Sequence, residues 1–295
     1  MRCACIDIGS NTTRLLVADV VARGDDLVRL APVVERRAFT QLGRACRAGE
    51  ALPAAAREAL ARVVAEQARE ARELRARTLR VVATAALRRA ADGLATCHAL
   101  AAAAGAPVEL LSEHEEARLA FAGATCALRG VRRGAAIAVA DVGGGSAQIV
   151  VGTCAGGASW SVSLPLGSSD LAAAHLHGDP PTAGELAAVR DAVAAALAGV
   201  ALPPVAAGLA VGGSATSLRR LAGPRLDVAG LDRALATLVA VPAAVAAERI
   251  GIASERARLL PAGIVVLAAL AQRLGSLEIA RGGLREGVLR ELAAT

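Results

Sequence analysis

Two similar stretches, Asp7-Ile8-Gly9-Ser10-Asn11-Thr12 and Asp141-Val142-Gly143-Gly144-Gly145-Ser146, decide the fold of this 295-residue chain. Placing Asp7 on Asp141 aligns the two stretches without a gap, and the runs that follow also agree, Leu15-Leu16-Val17 with Ile149-Val150-Val151. Each stretch joins two strand-like runs through a glycine turn, which predicts a β-hairpin. A hairpin that occurs twice predicts an internally duplicated protein.

The duplicated hairpins also indicate how the chain is divided. A length of 295 residues exceeds the roughly 150 residues expected of one domain, and strand-like segments alternate with helical ones. We therefore predict an α/β protein with two lobes, residues 1–127 carrying the first hairpin and residues 128–295 the second. Hairpins at the heads of two related lobes would face each other, so we expect the site in a cleft between the lobes.

Helix start signals place further elements. Ser112-Glu113-His114-Glu115 matches the S-x-x-E capping box, so we expect a helix with Ser112 as N-cap and with Glu115 reaching back to it. Thr182-Ala183-Gly184-Glu185 is a second such box. A strand at 208–211 is expected to run into Gly212-Gly213-Ser214, a third glycine-rich loop edge.

The glycine-rich loops have the composition of phosphate-binding loops. Glycines allow backbone N–H groups to approach an anion closely, and hydroxyl side chains add donors. An ordinary glycine hairpin could explain one loop alone, but two loops in register favour phosphate binding. The candidate phosphate-binding residues are Gly9, Ser10, Asn11, Thr12, Gly143, Gly144, Gly145, Ser146, Gly212, Gly213 and Ser214.

An aspartate precedes each of the two loops, and its charge would repel a bare phosphate. Asp7 and Asp141 therefore predict a divalent cation near the carboxylates. Mg²⁺ suits such a site because it prefers oxygen ligands and keeps several waters. The two aspartates have no histidine cluster beside them, which disfavours zinc.

The charge balance favours small anionic partners. The formal net charge is +6, and all 33 basic residues are arginine, whose planar forks suit phosphate oxygens. A coding bias toward alanine and arginine explains much of this total, so individual arginines need separate arguments. The aromatic residues are Phe39, Phe121 and Trp160, too few for the stacking platforms of single-strand nucleic-acid binders. We therefore expect no nucleic-acid partner.

Cysteine usage and the start of the chain indicate a cytoplasmic protein. The six cysteines form no C-x-x-C pair and fit reduced thiols. The charge of Asp7 interrupts the apolar run at the start of the chain, so this run does not match the apolar region of a signal peptide. The uncharged stretch 192–218 is interrupted by Pro203-Pro204 and Gly212-Gly213, which favours a helix, turn, strand and loop over a membrane span. We therefore expect no membrane partner.

Further motifs follow one another in a distinctive order along the chain. They are residues 6–12 (IDIGSNT), 82–88 (VATAALR), 111–118 (LSEHEEAR), 141–146 (DVGGGS), 163–167 (SLPLG), 211–216 (VGGSAT) and 283–287 (GLREG). In these motifs and their order the chain resembles the exopolyphosphatase / guanosine pentaphosphate phosphohydrolase (Ppx/GppA) phosphatase family, in its short two-domain form. The resemblance covers nearly the whole chain.

The resemblance implies a two-lobed, actin-like (ribonuclease H-like) fold of the ATPase superfamily, with the site in the interdomain cleft. It implies an exopolyphosphatase that removes terminal phosphate, by water, from inorganic polyphosphate or guanosine pentaphosphate with the help of a divalent cation. By position, Glu116 matches the family's catalytic glutamate, Asp141 its metal-associated aspartate and Arg88 the arginine that faces the phosphate. The expected metal ligands are Asp7, Glu116 and Asp141.

Two interpretations of Glu116 remain open from the residues themselves. At the fourth position of the predicted helix its carboxylate form is favoured by the helix dipole, and an ionised carboxylate suits a general base. Glu113, Glu115 and Glu116 equally fit first-turn carboxylates that only stabilise the helix. Arg88 and Arg89 likewise fit either a solvated pair or a cleft arginine.

The chain departs from the family pattern after the second loop, where Ser146-Ala147-Gln148 stands in place of the usual Ser-Thr-Glu. A neutral amide thus replaces an acid thought to support the metal. One alternative function is therefore a weakly active or inactive polyphosphate- or nucleotide-binding sensor, and another is an actin-like phosphotransferase.

Polyphosphate ranks above guanosine pentaphosphate because the chain ends at Thr295, without the extra C-terminal helical domain of longer relatives. The sequence leaves open a homodimer, the metal's identity and the chain-length preference.

Overall fold

The chain divides into two units, whose boundary differs from that of the predicted lobes at the C-terminal end. The structure, a computed structural model, describes residues 1–23, 27–128 and 130–294. One unit combines Met1–Ala127 with Gly282–Thr295, and the other is Leu128–Arg281. The last segment therefore belongs with the first hairpin and not, as predicted from the sequence, with the second lobe.

The first unit is built on a mixed sheet of aliphatic and β-branched strands. Its strand order is β3-β2-β1-β4-β5; β1, β2 and β3 are antiparallel neighbours, while β4 and β5 run parallel to β1. The strands are β1 (Arg2–Ile8), β2 (Thr12–Arg23), β3 (Leu27–Phe39), β4 (Thr78–Ala83) and β5 (Val108–Leu110). The predicted hairpin is β1 with β2.

Helices cover both faces of this sheet. Leu60 and Val64 of α2 join Ile6 and Ile8 of β1 in one buried cluster, and Leu119 of α5 belongs to a cluster on the other face. The helices that follow these strands are α1 (Leu42–Ala45), α2 (Ala54–Glu73), α3 (Ala85–Arg89), α4 (Gly93–Ala104) and α5 (Glu113–Thr125).

The second unit repeats the strand order of the first. Its sheet has the order β10-β11-β9-β6-β7-β8, with β6, β7 and β8 antiparallel and with β9 parallel to β6. The strands are β6 (Ile137–Val142), β7 (Ala147–Thr153), β8 (Gly157–Leu164), β9 (Ala207–Val211), β10 (Arg225–Leu226) and β11 (Leu277–Ile279). The helices are α6 (Ser168–His175), α7 (Ala183–Leu197), α8 (Gly212–Ala222), α9 (Val228–Val239), α10 (Ala243–Ile250) and α11 (Ser254–Leu274).

The two sheets confirm the predicted α/β class and the duplicated, ribonuclease H-type architecture. In each unit three antiparallel strands are followed by helices and then by a strand parallel to the first strand. This equivalence places α3, which carries Arg88, at the same step of the fold as α8, which begins with Gly212. Gly212-Gly213-Ser214 is therefore the first turn of a helix and not the predicted loop.

Helix α11 is the core helix of the second unit. Among the described residues it is long and apolar enough, by length and composition alone, to cross a membrane. Most of its apolar side chains are nevertheless buried, with Leu260, Ile264 and Leu267 fully enclosed in the unit's main hydrophobic cluster. The uncharged stretch 192–218 contains the end of α7, then β9 and the start of α8.

Helix starts follow the predicted signals with one difference. Thr182 and Glu185 form the complete capping box of α7. Ser112 accepts a hydrogen bond from the Glu115 N–H at 3.1 Å, which confirms Ser112 as the N-cap of α5. The Glu115 carboxylate does not complete the box by reaching back to Ser112, because it forms an ion pair with Arg118 at 2.7 Å.

The chain ends with α12 (Leu284–Ala294), whose backbone lies directly against α5. A Cβ atom added to Gly287 would lie 2.0 Å from the Leu119 carbonyl oxygen. A Cβ atom added to Gly123 would lie 1.8 Å from the Gly283 carbonyl oxygen. Only glycine allows such an approach, and the close contact explains why residues 282–294 pack with the first unit.

We predict that Gly287→Ala lowers the free energy of unfolding by about 1–3 kcal/mol, because the added methyl group overpacks the α5–α12 contact. Gly184→Ala is the matched control: it also lies in a helix, but its Cβ would meet no atom within 4 Å. Alanine should there be neutral or stabilising by up to about 1 kcal/mol, through helix propensity. Urea unfolding followed by circular dichroism measures both, and an equal loss in the two variants would contradict the close contact.

Candidate active site

Both Asp-Gly loops form the same backbone turn. In the first loop the Gly9 N–H donates to the Thr12 carbonyl at 3.0 Å, and in the second the Gly143 N–H donates to the Ser146 carbonyl, also at 3.0 Å. A Cβ atom on either glycine would lie 3.2 Å from that carbonyl oxygen. The equivalence predicted from the aligned sequences thus extends to the hydrogen bond that closes each turn.

Carbonyl groups of the first loop are held by the chain segment that follows β3. The Ser10 carbonyl accepts from the Gly43 N–H at 2.8 Å, and the Asn11 carbonyl accepts from the Gln41 N–H at 3.0 Å. Because a trans peptide points its N–H opposite to its C=O, the N–H groups of Asn11 and Thr12 point away from this segment. Because the carbonyl groups bond to this segment, the N–H groups on the opposite side of the loop face the place where a ligand would bind.

The second loop is anchored in the same way by the start of α6. The Gly143 carbonyl accepts from the Ser168 N–H and the Gly144 carbonyl from the Ser169 N–H, each at 2.9 Å. Gly167 packs so closely that an added Cβ would lie 2.1 Å from the Gly144 carbonyl oxygen. The N–H groups of Gly144 and Gly145 therefore point away from α6, as successive donors of an anion-binding nest do.

An ion pair joins two of the predicted catalytic residues within the first unit. Nη1 of Arg88, on α3, donates to Oε2 of Glu116 at 2.8 Å and to the Leu111 carbonyl at 2.9 Å. The Arg88 side chain is 19% exposed and the Glu116 side chain 12% exposed. A mostly enclosed charge pair with a direct hydrogen bond fixes the orientation of the Glu116 carboxylate.

The three carboxylates in the first turn of α5 differ in their partners and in their exposure. Glu115 is bound by Arg118, whereas Glu116 is bound by Arg88 from a different element. Glu113 is the most exposed of the three, with 60% of its side chain accessible, and it lies 3.8 Å from Nη2 of Arg88. Glu116 is therefore the carboxylate that the fold encloses and orients, while Glu115 has the ordinary helix-surface pairing.

Asp7 lies in a row of charges across the first sheet. It faces Arg14 on β2, and Arg14 faces Arg37 on β3, in direct register. Burial raises the pKa of the Asp7 carboxyl, and the charges of Arg14 and Arg285 oppose this rise. Arg285, on α12, also donates to the Leu15 carbonyl at 3.2 Å. The Asp7 carboxylate is thus compensated by arginines of its own unit.

Asp141 lies against the N-terminus of α8 in the second unit. A Cβ atom on Gly212 would lie 2.6 Å from Oδ1 of Asp141, and Gly212 has a φ of +87°. The first residue of α8 must therefore be glycine both for its backbone angle and for the approach of the carboxylate. The positive end of the helix dipole favours a negative charge at this place.

The predicted metal ligands do not form a ready-made metal centre within either unit. Among the residues that the structure describes, no group of three or more His, Cys, Asp and Glu side chains is placed to hold a metal ion. Asp7 is faced by Arg14, and Glu116 is bound by Arg88. Asp7 and Glu116 lie in one unit and Asp141 in the other, and their joint ligation of a cation stays a prediction.

The predicted site residues fall into two groups. The first unit holds Asp7, residues 9–12, Arg88 and Glu116, and the second holds Asp141, residues 143–146 and residues 212–214. The structure brings Arg88 to Glu116 and Gly212 to Asp141. Joint action of the two groups stays a prediction.

Ser214, one of the predicted phosphate-binding residues, has an interior position. The residue is 1% exposed, and a Cβ atom on Gly263 of α11 would lie 2.4 Å from its Oγ. The hydroxyl therefore faces α11, and a role for Ser214 in anion binding would have to use its backbone N–H at the start of α8.

Arg14 and Arg285 do not appear among the predicted site residues, although both surround Asp7. The hairpin register carries the signal for Arg14, since the turn that closes at Gly9 and Thr12 places Arg14 directly opposite Asp7. The signal for Arg285 is the GLREG motif at 283–287. The motif alone does not show that Arg285 lies near Asp7. This follows from the packing of α12 in the first unit, where Arg285 is 6% exposed.

The chain resembles known phosphatases along its whole length. The model of the Ppx/GppA phosphatase family matches residues 18–295. The chain is 31% identical over 314 residues to Exopolyphosphatase 1 of Mycobacterium leprae (strain TN), covering 99% of this chain and 90% of that protein. It is 34% identical over 258 residues to Exopolyphosphatase 2 of Mycobacterium tuberculosis (strain ATCC 25618 / H37Rv), covering 82% and 76%. The crystal structure of the Aquifex aeolicus member of the Ppx/GppA family is similar with a TM-score of 0.82 and 26% identity, covering 100% of this chain and 98% of that one.

We predict that Gly212→Ala destabilises the protein more than Gly223→Ala does. Both glycines have a left-handed φ, but only the Cβ at position 212 would meet other atoms, whereas the one at position 223 would meet none within 4 Å. Gly223→Ala should cost about 1–3 kcal/mol for the backbone alone, because φ +77° with ψ −167° is a conformation that almost only glycine adopts. Thermal unfolding measures the difference, and equal losses would show that Asp141 does not press on the start of α8.

Proposed function

The chain belongs to the Ppx/GppA phosphatase family, and we propose that it is an exopolyphosphatase, a hydrolase that removes the terminal phosphate of inorganic polyphosphate. The observation that carries this proposal is the ion pair between Arg88 and Glu116 at 2.8 Å. The family resemblance assigns both residues to catalysis, and the fold holds them together within one unit. Relatives at 31% and 34% identity are named exopolyphosphatases, which supports polyphosphate as the substrate.

In this proposal the backbone donors bind the phosphate chain. The N–H groups of Gly144 and Gly145 point away from α6, and the start of α8 adds the positive end of a helix dipole. Polyphosphate carries oxygens along its whole length and offers no base or sugar. Donors from a backbone nest suit such a ligand because they recognise phosphate oxygens without reading any attached group.

Glu116 then acts as the general base. Its ionised carboxylate accepts a proton from a water, and the water oxygen forms a new bond to the terminal phosphorus. The P–O bond to the bridging oxygen breaks, and the shortened chain leaves with the electron pair of that bond. Orthophosphate is released, and the proton passes from Glu116 to solvent. Arg88 keeps Glu116 ionised and oriented through the hydrogen bond from Nη1.

We propose that a divalent cation such as Mg²⁺ comes to the protein with the substrate. Phosphate oxygens are the usual partners of Mg²⁺ at phosphoryl-transfer sites, where the protein adds only one or two carboxylates. Such a cation would reduce the repulsion between polyphosphate and Asp141.

Gln148 favours a second candidate function, a polyphosphate-binding protein with slow turnover. The neutral amide lies directly opposite Asp141 in the sheet register, at the position where the family commonly has an acid. Phosphate release by the wild-type protein no faster than release by its Glu116 variant would favour this candidate. Guanosine pentaphosphate in the same assay tests the other substrate that the family resemblance implies.

We predict that Glu116→Gln lowers the rate of phosphate release from polyphosphate by about 10²–10⁴-fold, since a general base contributes that much. Glutamine keeps the size of the side chain and its hydrogen-bond acceptor to Arg88, so the protein should remain folded. Malachite-green detection of released phosphate, with Mg²⁺ and a polyphosphate of defined length, measures the rate.

Glu115→Gln is the matched control because it removes a carboxylate from the same helical turn. Glu115 binds Arg118 rather than Arg88, so its loss should leave the rate nearly unchanged. If both variants lost activity equally, the first-turn carboxylates would act only through helix stability. Full activity of Glu116→Gln would exclude Glu116 as the base.

A further inference from the structure

Gln148 is a buried polar side chain whose hydrogen-bonding groups are unmet by the protein. The residue is 2% exposed, and neither Oε1 nor Nε2 has a hydrogen-bond partner among the described residues. Buried amides in native proteins are almost always paired, because an unmade hydrogen bond in the interior costs free energy. An amide with both atoms unpaired indicates a partner that the described residues do not supply.

The sheet register shows where this partner would bind. Asp141 on β6, Gln148 on β7 and Ser163 on β8 are direct neighbours across the strands. Directly paired residues of antiparallel strands extend to the same face, with Cβ atoms about 4.5–5.5 Å apart. Gln148 also follows the second phosphate loop after a single intervening residue. A phosphate chain held by the loop donors beside Asp141 comes within reach of the amide.

The internal repeat allows the charge at position 148 to be compared with the charge at the equivalent position of the first unit. Aligning the two hairpins places Gln148 on Arg14, just as it places Asp141 on Asp7. In the first unit the neighbour of the aspartate is a cation that compensates it. In the second unit the neighbour is a neutral amide that can both donate and accept. The two rows therefore have different electrostatic roles despite their common fold.

We propose that Gln148 binds the polyphosphate directly, with Nε2 donating to a phosphate oxygen, and that the second unit thereby holds polyphosphate without a divalent cation already in place. This inference rests on the proposed function, since it names how the same site recognises its substrate. An ionised glutamate at position 148 could not donate to phosphate and would need a cation or a proton between the two anions. Glutamine avoids that second negative charge, and the N–H donors of the loop and of the start of α8 offset the charge of Asp141, so that binding does not require a cation, while hydrolysis can still use the cation that the substrate carries.

Binding is tested with the methylene-bridged analogue of tripolyphosphate, which the protein cannot hydrolyse, by isothermal titration calorimetry in EDTA and in Mg²⁺. The wild-type protein should bind in EDTA. Gln148→Glu should weaken binding in EDTA by about tenfold or more, the size expected for a lost hydrogen bond to a charged group. Mg²⁺ should restore much of the affinity of this variant.

Gln148→Met separates a ligand-binding role from a structural one. Methionine has nearly the same length but no amide, so it removes an unpaired buried polar group. The melting temperature should rise or stay equal, while binding in EDTA weakens as it does in Gln148→Glu. A residue with a purely structural role would show the opposite pattern, a lower melting temperature with unchanged affinity.

Thr96→Val is the matched control. The Thr96 hydroxyl is also buried and unpaired among the described residues, but it lies on α4 of the other unit. Valine should leave the affinity for the analogue unchanged in EDTA and in Mg²⁺. A loss of affinity equal to that of Gln148→Met would contradict a specific role for Gln148.

The proposal is overturned if the wild-type protein fails to bind the analogue in EDTA, or if Gln148→Glu binds it there as tightly as the wild type. Phosphate release from true polyphosphate distinguishes this failure from failure of the proposed function. Binding without turnover would retain the role of Gln148 and reject the hydrolase. Turnover with unchanged binding in Gln148→Glu would retain the hydrolase and reject the role of Gln148.

Discussion

One backbone hydrogen bond closes the turn in each Asp-Gly hairpin, and the other features of each candidate half-site depend on it. The bond runs from Gly9 to Thr12 in one unit and from Gly143 to Ser146 in the other, at 3.0 Å in both. It fixes the register of the hairpin, and the register decides which residue faces the aspartate. Carbonyls beside the turn are then held by the element after the third strand. The remaining N–H groups are thereby oriented before any anion arrives, which lowers the cost of binding.

A second constraint orients the residues proposed for catalysis. Arg88 comes from the short helix after β4, and Glu116 comes from the first turn of α5. Their ion pair is mostly enclosed, so removing either partner would leave a poorly solvated charge. The backbone contact between α5 and α12 at Gly287 restricts how α5 can shift. The C-terminal helix therefore supports the helix that carries the proposed base.

Much of the fold could be predicted from the sequence because periodic apolar runs and caps are local signals. The β1–β2 and β6–β7 hairpins, the Ser112 N-cap and the Thr182 box all follow from residues close in the chain. These local signals do not predict packing between segments that are distant in the sequence. The pairing of α12 with α5 depends on glycines that permit close approach, and a glycine in sequence does not reveal its partner. For the same reason the motifs in the sequence identify Arg88 and Glu116 as separate candidates, whereas their ion pair is known only from the structure.

The central claim is the removal of terminal phosphates by water, and the products of polyphosphate cleavage test it most directly. A polyphosphate of defined chain length is incubated with the protein and Mg²⁺ but without nucleotide, and ³¹P NMR follows the terminal, internal and free phosphates. We expect orthophosphate as the released product, with internal phosphates decreasing as the chains shorten from their ends. Short oligophosphates from internal cleavage, or phosphate transfer that requires a nucleotide, would contradict the claim.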